Sequence, residues 1–258
     1  MSGAGSRRAR ILLFDIETAP LVGTVWQKYE ADLIWMVQEW YMLCFAYKWL
    51  DESKTHVIAQ PDFESYKPGS PNDYHVVKEL HRLISEADIV IAHNGNSFDV
   101  KKANARFIFH GLGPTVPAQQ VDTLRMARKY FALTSNKLDD IGEYLGVGRK
   151  IRTDKGLWRA CMAGEEKAWR KMKSYNKQDV RLLEQVYLKL LPYDTGHPNR
   201  ANIEGRPRAC KNCGVEGFLW AQGWRYTKTG KYRRYQCKSC GTFINSRQAD
   251  KSPKPDYV

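Results

Sequence analysis

Apolar and polar positions alternate in the run ILLFDIE, which predicts a first strand beginning near Arg10. The period of two places Leu13, Asp15 and Glu17 on one face and Leu12, Phe14 and Ile16 on the other. The runs YMLCFAYKW and HVIAQ, separated by the turn-forming DES, continue this strand into an antiparallel meander. Between the first strand and YMLCFAYKW, residues 21–39 carry Trp26, Tyr29 and Trp35 without a clean period and read as loop with some helix. From 74 to 87, Val76, Val77, Leu80, Leu83 and Ile84 fall at helical spacing, and DIVIAHN follows as a buried strand. Ser97 is placed to cap a helix through FDVKKANARFIF, closed by His110, Gly111 and Gly113. QQVDT then reads as a strand, and LRMARKYF and NKLDDIGEYLG read as helices. A last long helix covers about residues 165–190 and stops at Pro192. Strands alternating with helices after an antiparallel opening indicate a mixed α/β domain.

Composition sets the scale of this architecture. At 258 residues and 43% hydrophobic, the chain can bury one sizeable core and support a small second module. The expected divisions are a flexible tail at 1–9, a main domain at 10–193, a polar Gly- and Pro-containing linker at 194–206, a small module at 207–246 and a second tail at 247–258. No apolar run approaches the roughly 20 residues that span a bilayer. The basic N-terminal segment leads straight into ILLFDIE without the apolar stretch of a secretory signal. A soluble, intracellular protein in the cytoplasm is expected, with no membrane partner.

The formal net charge of +13 and a pI near 9.4 point to a polyanionic partner, nucleic acid before an anionic membrane surface. Residues 205–258 hold 12 Lys and Arg against 3 Asp and Glu, so most of the excess lies in the C-terminal module. Four of the six cysteines form two CxxCG units, Cys210 with Cys213 and Cys237 with Cys240, separated by 23 residues. Each unit offers two thiolates to one ion, which argues for a structural Zn²⁺ rather than a disulfide framework; an iron site of rubredoxin type would use the same units. The spacing resembles a zinc ribbon, in which β-hairpins carry the knuckles. Between the units, aromatic residues alternate with Arg225, Arg233, Arg234 and several lysines, a mixture suited to single strands: bases stack on rings while cations follow the phosphates. Some of those rings are also needed to fill so small a core. Cys44, in an apolar run, reads as a small core residue, and Cys161 has no catalytic context.

Carboxylates carry the candidate chemistry. Asp15 and Glu17, two apart on a strand, sit side by side and need a compensating cation unless that face is simply solvated. Asp99 and Asp122 stand where an acid also favours a helix N-terminus. In the last helix Trp169, Met172, Leu183, Val186 and Leu190 form an apolar stripe on which Tyr175 and Asp179 also fall. A carboxylate there must be paired or metal-bound, and a plain Tyr175–Asp179 hydrogen bond is the structural alternative.

Taken in order, DxE at Asp15 and Glu17, N-x3-F-D from Asn94 to Asp99 and Y-x3-D from Tyr175 to Asp179 resemble the DEDD exonucleases of the ribonuclease-H-like superfamily, in their tyrosine-bearing subclass. The stretch from FDIETAP to CFAYKWL is also similar to small stand-alone members, often phage-encoded, which act in the host cell. The resemblance implies a ribonuclease-H-like α/β fold, a mixed five-stranded sheet flanked by helices, ahead of the small β zinc ribbon. It implies that Asp15, Glu17, Asp99 and Asp179 hold two Mg²⁺ or Mn²⁺ ions and that Tyr175 orients the attacking water. It implies that Thr18 and the segment from Asn94 to Phe98 line a slot for the 3′-terminal nucleotide, and it gives Asp122 no ligand role. The expected activity is 3′–5′ hydrolysis of nucleic acid, DNA ahead of RNA, alone or beside a separate replication or repair polymerase. An endonuclease of the same superfamily and a non-catalytic nucleic-acid-binding protein are the alternatives.

Overall fold

The computed structural model describes residues 7–29, 32–228 and 230–250. The outer parts of the two expected tails, 1–6 and 251–258, lie outside them. Two compact units are present: one of residues 10–128 and 132–186, the other built mainly from 187–250 with 7–9 and 129–131.

The larger unit begins with β1 (Ile11–Thr18), a short ribbon of β2 (Val22–Thr24) and β3 (Trp35–Gln38), then β4 (Met42–Trp49) and β5 (His56–Ala59). α1 (Tyr74–Glu86), β6 (Ile89–Ala92), α2 (Asp99–Phe109), β7 (Gln119–Asp122) and α3 (Thr123–Tyr130) follow. α4 (Leu138–Tyr144), α5 (Gly156–Met162) and α6 (Glu166–Leu190) complete the helical part, the last turn of α6 belonging to the smaller unit. The main sheet has the order β5-β4-β1-β6-β7. β5, β4 and β1 pair antiparallel, whereas β1, β6 and β7 run parallel, so the expected mixed five-stranded sheet is present.

Period-two alternation in β1 decides what lies on each side. Leu12, Phe14 and Ile16 join Val76, Val77, Leu80 and Leu83 of α1 and Phe107 of α2 in one core. The opposite side of β4, through Leu43 and Cys44, packs with Leu157, Cys161, Trp169, Met172 and Tyr175 in a second. The carboxylates of β1 therefore face the side covered by α5 and α6. α5 lies where the sequence pattern predicted no element. The stripe on α6 is buried along its length, and a second row, Asn176, Val180 and Tyr187, is buried beside it. No helix among the described residues is long and apolar enough to cross a membrane.

Two expectations fail. Residues 21–39 are not loop with helix: they hold the β2–β3 ribbon, a sheet of its own. Thr24 pairs with Trp35, and Gly23 makes the close approach possible, since a Cβ there would meet Leu33 Cδ2 at 2.6 Å. Nor does Ser97 cap α2: the N-cap position is Phe98, with no side-chain cap, and the helix opens on Asp99.

In the smaller unit the segment read as linker carries α7 (Arg200–Ile203), capped by the Asn199 side chain. Buried Glu204 gathers Arg200, Arg206 and the Ala9 amide, which gives this polar stretch a fixed fold. β8 (Leu219–Tyr226), β9 (Lys231–Cys237) and β10 (Phe243–Ala249) form a three-stranded antiparallel sheet in the order β10-β9-β8.

Candidate active site

β1 presents Asp15 and Glu17 opposite small residues of β4: Asp15 pairs with Ala46 and Glu17 with Cys44. The register shifts between Glu17 and Thr18, a bulge that re-aims the chain as it leaves the sheet. α6 crosses this face and supplies Asp179, whose carboxylate lies within 4.8 Å of those of Asp15 and Glu17. Asp99, the first residue of α2, stands beside this triad: its Oδ1 accepts from the Ile16 amide at 3.2 Å, and its charge helps raise the Asp15 pKa. The structure thus gathers three of the four acids closely and holds the fourth against the backbone between Asp15 and Glu17.

The cluster is electrostatically costly in isolation. Burial, then the charges of Asp99, Glu17 and Asp179, push Asp15 well above the usual carboxylate range. Burial and Asp179 raise Glu17 to about 7, and burial raises Asp99 to about 6 against the Ile16 amide. Asp179 is 1% exposed and is also raised by burial, while Lys150 opposes that rise. Lys150 Nζ donates to Asp179 Oδ2 at 2.7 Å, and Asp179 Oδ1 is buried without a hydrogen-bond partner. Burial disfavours the Lys150 cation, yet Asp179 and Asp15 keep its pKa above the ordinary value. Converging carboxylates with an unused buried oxygen fit a site for hard divalent cations.

Three further side chains complete the centre. Asn176 Nδ2 donates to Asp15 Oδ2 at 2.6 Å, and its Oδ1 lies 3.7 Å from Cys44 Sγ. Trp158 Nε1 donates to Glu17 Oε2 at 3.0 Å, and its ring meets Tyr175 edge-on at 5.8 Å. Burial, reinforced by Asp179, Glu17 and Asp15, pushes the Tyr175 phenol far above its ordinary pKa, so it stays protonated. Sequence reasoning missed Lys150, Trp158 and Asn176. Asn176 had a signal, adjacency to Tyr175 on a helix whose buried face is wider than one stripe; Lys150 and Trp158 lie in a stretch without assigned structure.

The expected substrate-slot residues separate. Thr18 borders a cleft of about 470 Å³ with Leu21, Trp40, Lys102, Lys155 and Trp158, joined to the triad through the Trp158–Glu17 bond. Asn94 borders another, of about 600 Å³, with His93, Arg128, Lys137 and Lys150, joined to the triad through Lys150. Phe98 is exposed, and Lys102 Nζ lies 5.3 Å from its ring centroid and 3.7 Å from that of Trp40. Asn94 adopts φ 66°, and its amide and that of Asn96 donate to Asp122. Asp122 also accepts from Leu124 and Arg125, so it caps α3 and shapes the loop before Asp99.

In the smaller unit the sulfurs of Cys210, Cys213, Cys237 and Cys240 all lie within 4.8 Å of one another, and none is in a disulfide. The four-sulfur group fits one tetrahedral thiolate site. Strand register divides the three arginines. Arg233 pairs with Trp224, and Lys231 and Arg233 both lie over that ring, at 4.1 and 4.8 Å from its centroid. Arg225, paired with Tyr232, and Arg234, two further along β9, face the other side with Trp220.

The fold has a counterpart among known proteins. A family B DNA polymerase from the archaeon Pyrobaculum calidifontis superposes with a TM-score of 0.53 at 19% identity, over 72% of this chain and 25% of that chain. The match therefore spans about a quarter of the polymerase and concerns the fold. No curated protein matches the chain significantly. The RNase_H_2 model, of the RNase_H superfamily, matches residues 12–191, which include every residue of the acidic centre. The chain belongs to the RNase_H superfamily.

Proposed function

We propose that the protein is a metal-dependent nuclease that removes nucleotides from the 3′ ends of nucleic acid, DNA ahead of RNA. The observation that carries this is the Asp15–Glu17–Asp179 triad, half-buried at Asp15 and Glu17 and buried at Asp179, with buried Asp99 beside it, assembled from three distant parts of the chain. Two Mg²⁺ or Mn²⁺ ions bound there would supply an activated water and stabilise charge on the attacked phosphate and the leaving oxygen. The chain's own residues do the positioning. Asn176 and Trp158 fix the carboxylates of Asp15 and Glu17, and Tyr175, kept protonated, is a donor for a water or phosphate oxygen. The Thr18 cleft, walled by Trp40 and Trp158, suits the terminal base, and the Asn94–Lys150 cleft, rimmed by Arg128 and Lys137, suits the following phosphates. The four cysteines hold one Zn²⁺ that folds the ribbon, and Arg233 with Trp224 on one face, Arg225 and Arg234 on the other, bind the strand.

The polarity of hydrolysis tests this reading against the endonuclease. An oligonucleotide labelled at its 5′ end should give a ladder shortening from the 3′ side, and a 3′-labelled one should release labelled mononucleotide from the outset. Internal fragments from both labels would establish an endonuclease instead.

A further inference from the structure

Nine of the 21 large hydrophobic side chains that stand exposed among the described residues lie between positions 21 and 37, on or beside the β2–β3 ribbon. Tyr29 is 91% exposed, Trp26 80%, Val37 61% and Trp35 59%. Exposed large apolar side chains concentrated on one short segment are a mark of interaction sites, because water makes them unfavourable to maintain without one. A lone two-stranded ribbon is also only marginally stable in water. This one is anchored: the Trp40 ring at its base lies beneath Lys102, with Arg106 5.7 Å from its centroid. Arg106 is clamped by buried Asp73, which also accepts from the Met42 amide.

The place and chemistry of the ribbon name its occupant. Leu21 and Trp40, at its two ends, both border the Thr18 cleft, whose far wall, Trp158, bonds Glu17 of the acidic triad. Residues 21–38 contain one Lys, one Glu and one Asp, so the arm offers little to phosphates and much to flat apolar faces. Nucleobases have such faces, and stacking on aromatic rings is indifferent to sequence. We propose that the β2–β3 arm is a wedge for duplex ends: Trp35, Val37 and Tyr29 take up the bases of a terminal pair as it opens, freeing one 3′ end to enter the Thr18 cleft. The substrate class becomes the ends of double strands as well as single strands. This wedge rests on the nuclease reading for its purpose, but its action on bases needs no hydrolysis.

The test uses the full chain with a blunt DNA duplex carrying 2-aminopurine at its 3′-terminal pair, in Ca²⁺ so that binding is seen without cleavage. The wild type should raise the fluorescence as the analogue unstacks. The Trp35→Ser/Val37→Ser double variant and, separately, Tyr29→Ser should lose most of that rise and bind the duplex end about tenfold more weakly. Affinity for the same single strand should stay within about twofold. These side chains are exposed, so unchanged thermal unfolding of each variant will show that the fold is intact. Equal fluorescence in wild type and variants, or equal loss on single and double strands, overturns the wedge. So does concentration-dependent sedimentation abolished by the same changes, which would make the arm a contact between copies. Hydrolysis of single strands without any fluorescence rise removes the wedge and leaves the nuclease; a rise without hydrolysis in Mg²⁺ or Mn²⁺ does the reverse.

Discussion

Lys150 Nζ donates to Asp179 Oδ2 at 2.7 Å, from a loop before α5 to the middle of the longest helix. This contact sets a tethered cation against the acidic triad, where it offsets part of the repulsion that burial intensifies. A divalent ion bound by the same carboxylates has to compete with it.

Lys150→Met should therefore raise Mn²⁺ affinity, by about tenfold for the removal of one nearby like charge. Without metal, the same variant should unfold at lower temperature than the wild type, because the three clustered carboxylates lose their counter-charge. Calorimetric titration with Mn²⁺ and thermal unfolding in chelator measure the two effects. Unchanged or weaker Mn²⁺ binding would show that Lys150 does not compete with the ion.

The raised carboxylates give stability a pH dependence of known sign. Glu17 titrates at about 7 in the folded chain against an ordinary value of 4.5, so across that interval the folded state keeps a proton that the unfolded state has lost. Asp99, at about 6, acts in the same direction. Stability from Glu17 is complete below about 4.5 and is lost as pH rises through 7, and that from Asp99 is complete below about 3.8 and is lost as pH rises through 6. In chelator the unfolding temperature should fall between pH 5 and 8; saturating Mn²⁺, which binds the deprotonated carboxylates, should flatten or reverse that fall. Parallel curves with and without Mn²⁺ would contradict a metal site at these acids.

Trp158 is assigned as a positioning residue for Glu17. Trp158→Phe keeps an aromatic ring against Tyr175 but removes the indole donor at 3.0 Å from Glu17 Oε2. Turnover should fall by about tenfold or more, the worth of one hydrogen bond to a charged group, with KM nearly unchanged. A rise in KM at constant kcat would show that the indole nitrogen serves the wall of the Thr18 cleft and not the placement of Glu17.

The four-cysteine group of the smaller unit carries a prediction of a different kind. Purified protein should carry about one equivalent of zinc, absent in Cys237→Ser. That variant should bind single strands more weakly, with a salt dependence shallower by about one unit per lost phosphate contact. Unaltered affinity without zinc would remove the β8–β10 sheet from substrate binding.

How far the sequence was legible follows from which interactions are local. β1 and the stripe of α6 were readable because each has a clean period, Leu12, Phe14 and Ile16 alternating and Trp169, Met172 and Leu183 recurring at helical spacing, and β4 and β6 because they are short apolar runs buried on both faces. The acids of β1 and α6 were readable for the same reason, as polar residues in places where apolar ones belong. The β2–β3 ribbon was not, because its apolar side chains face solvent and so follow no burial period. Lys150 and Trp158 were hidden because their partners, Asp179 and Glu17, are 29 and 141 residues away. Ser97 shows the limit of local rules: the loop before α2 is shaped by Asp122, 26 residues beyond Asn96, and the helix starts without a side-chain cap.

A hydrolytic metal centre at the acidic cluster is what the proposed function requires. The most direct measurement is single-turnover hydrolysis of a 3′-ended DNA strand by wild type and Asp179→Asn in Mn²⁺, with strand binding measured in parallel. The wild type should hydrolyse and the variant should bind within a few-fold yet react at least about 1,000-fold more slowly, as expected when a metal-holding carboxylate is lost. Equal rates in the two proteins, or no hydrolysis by the wild type in either Mg²⁺ or Mn²⁺, would contradict it.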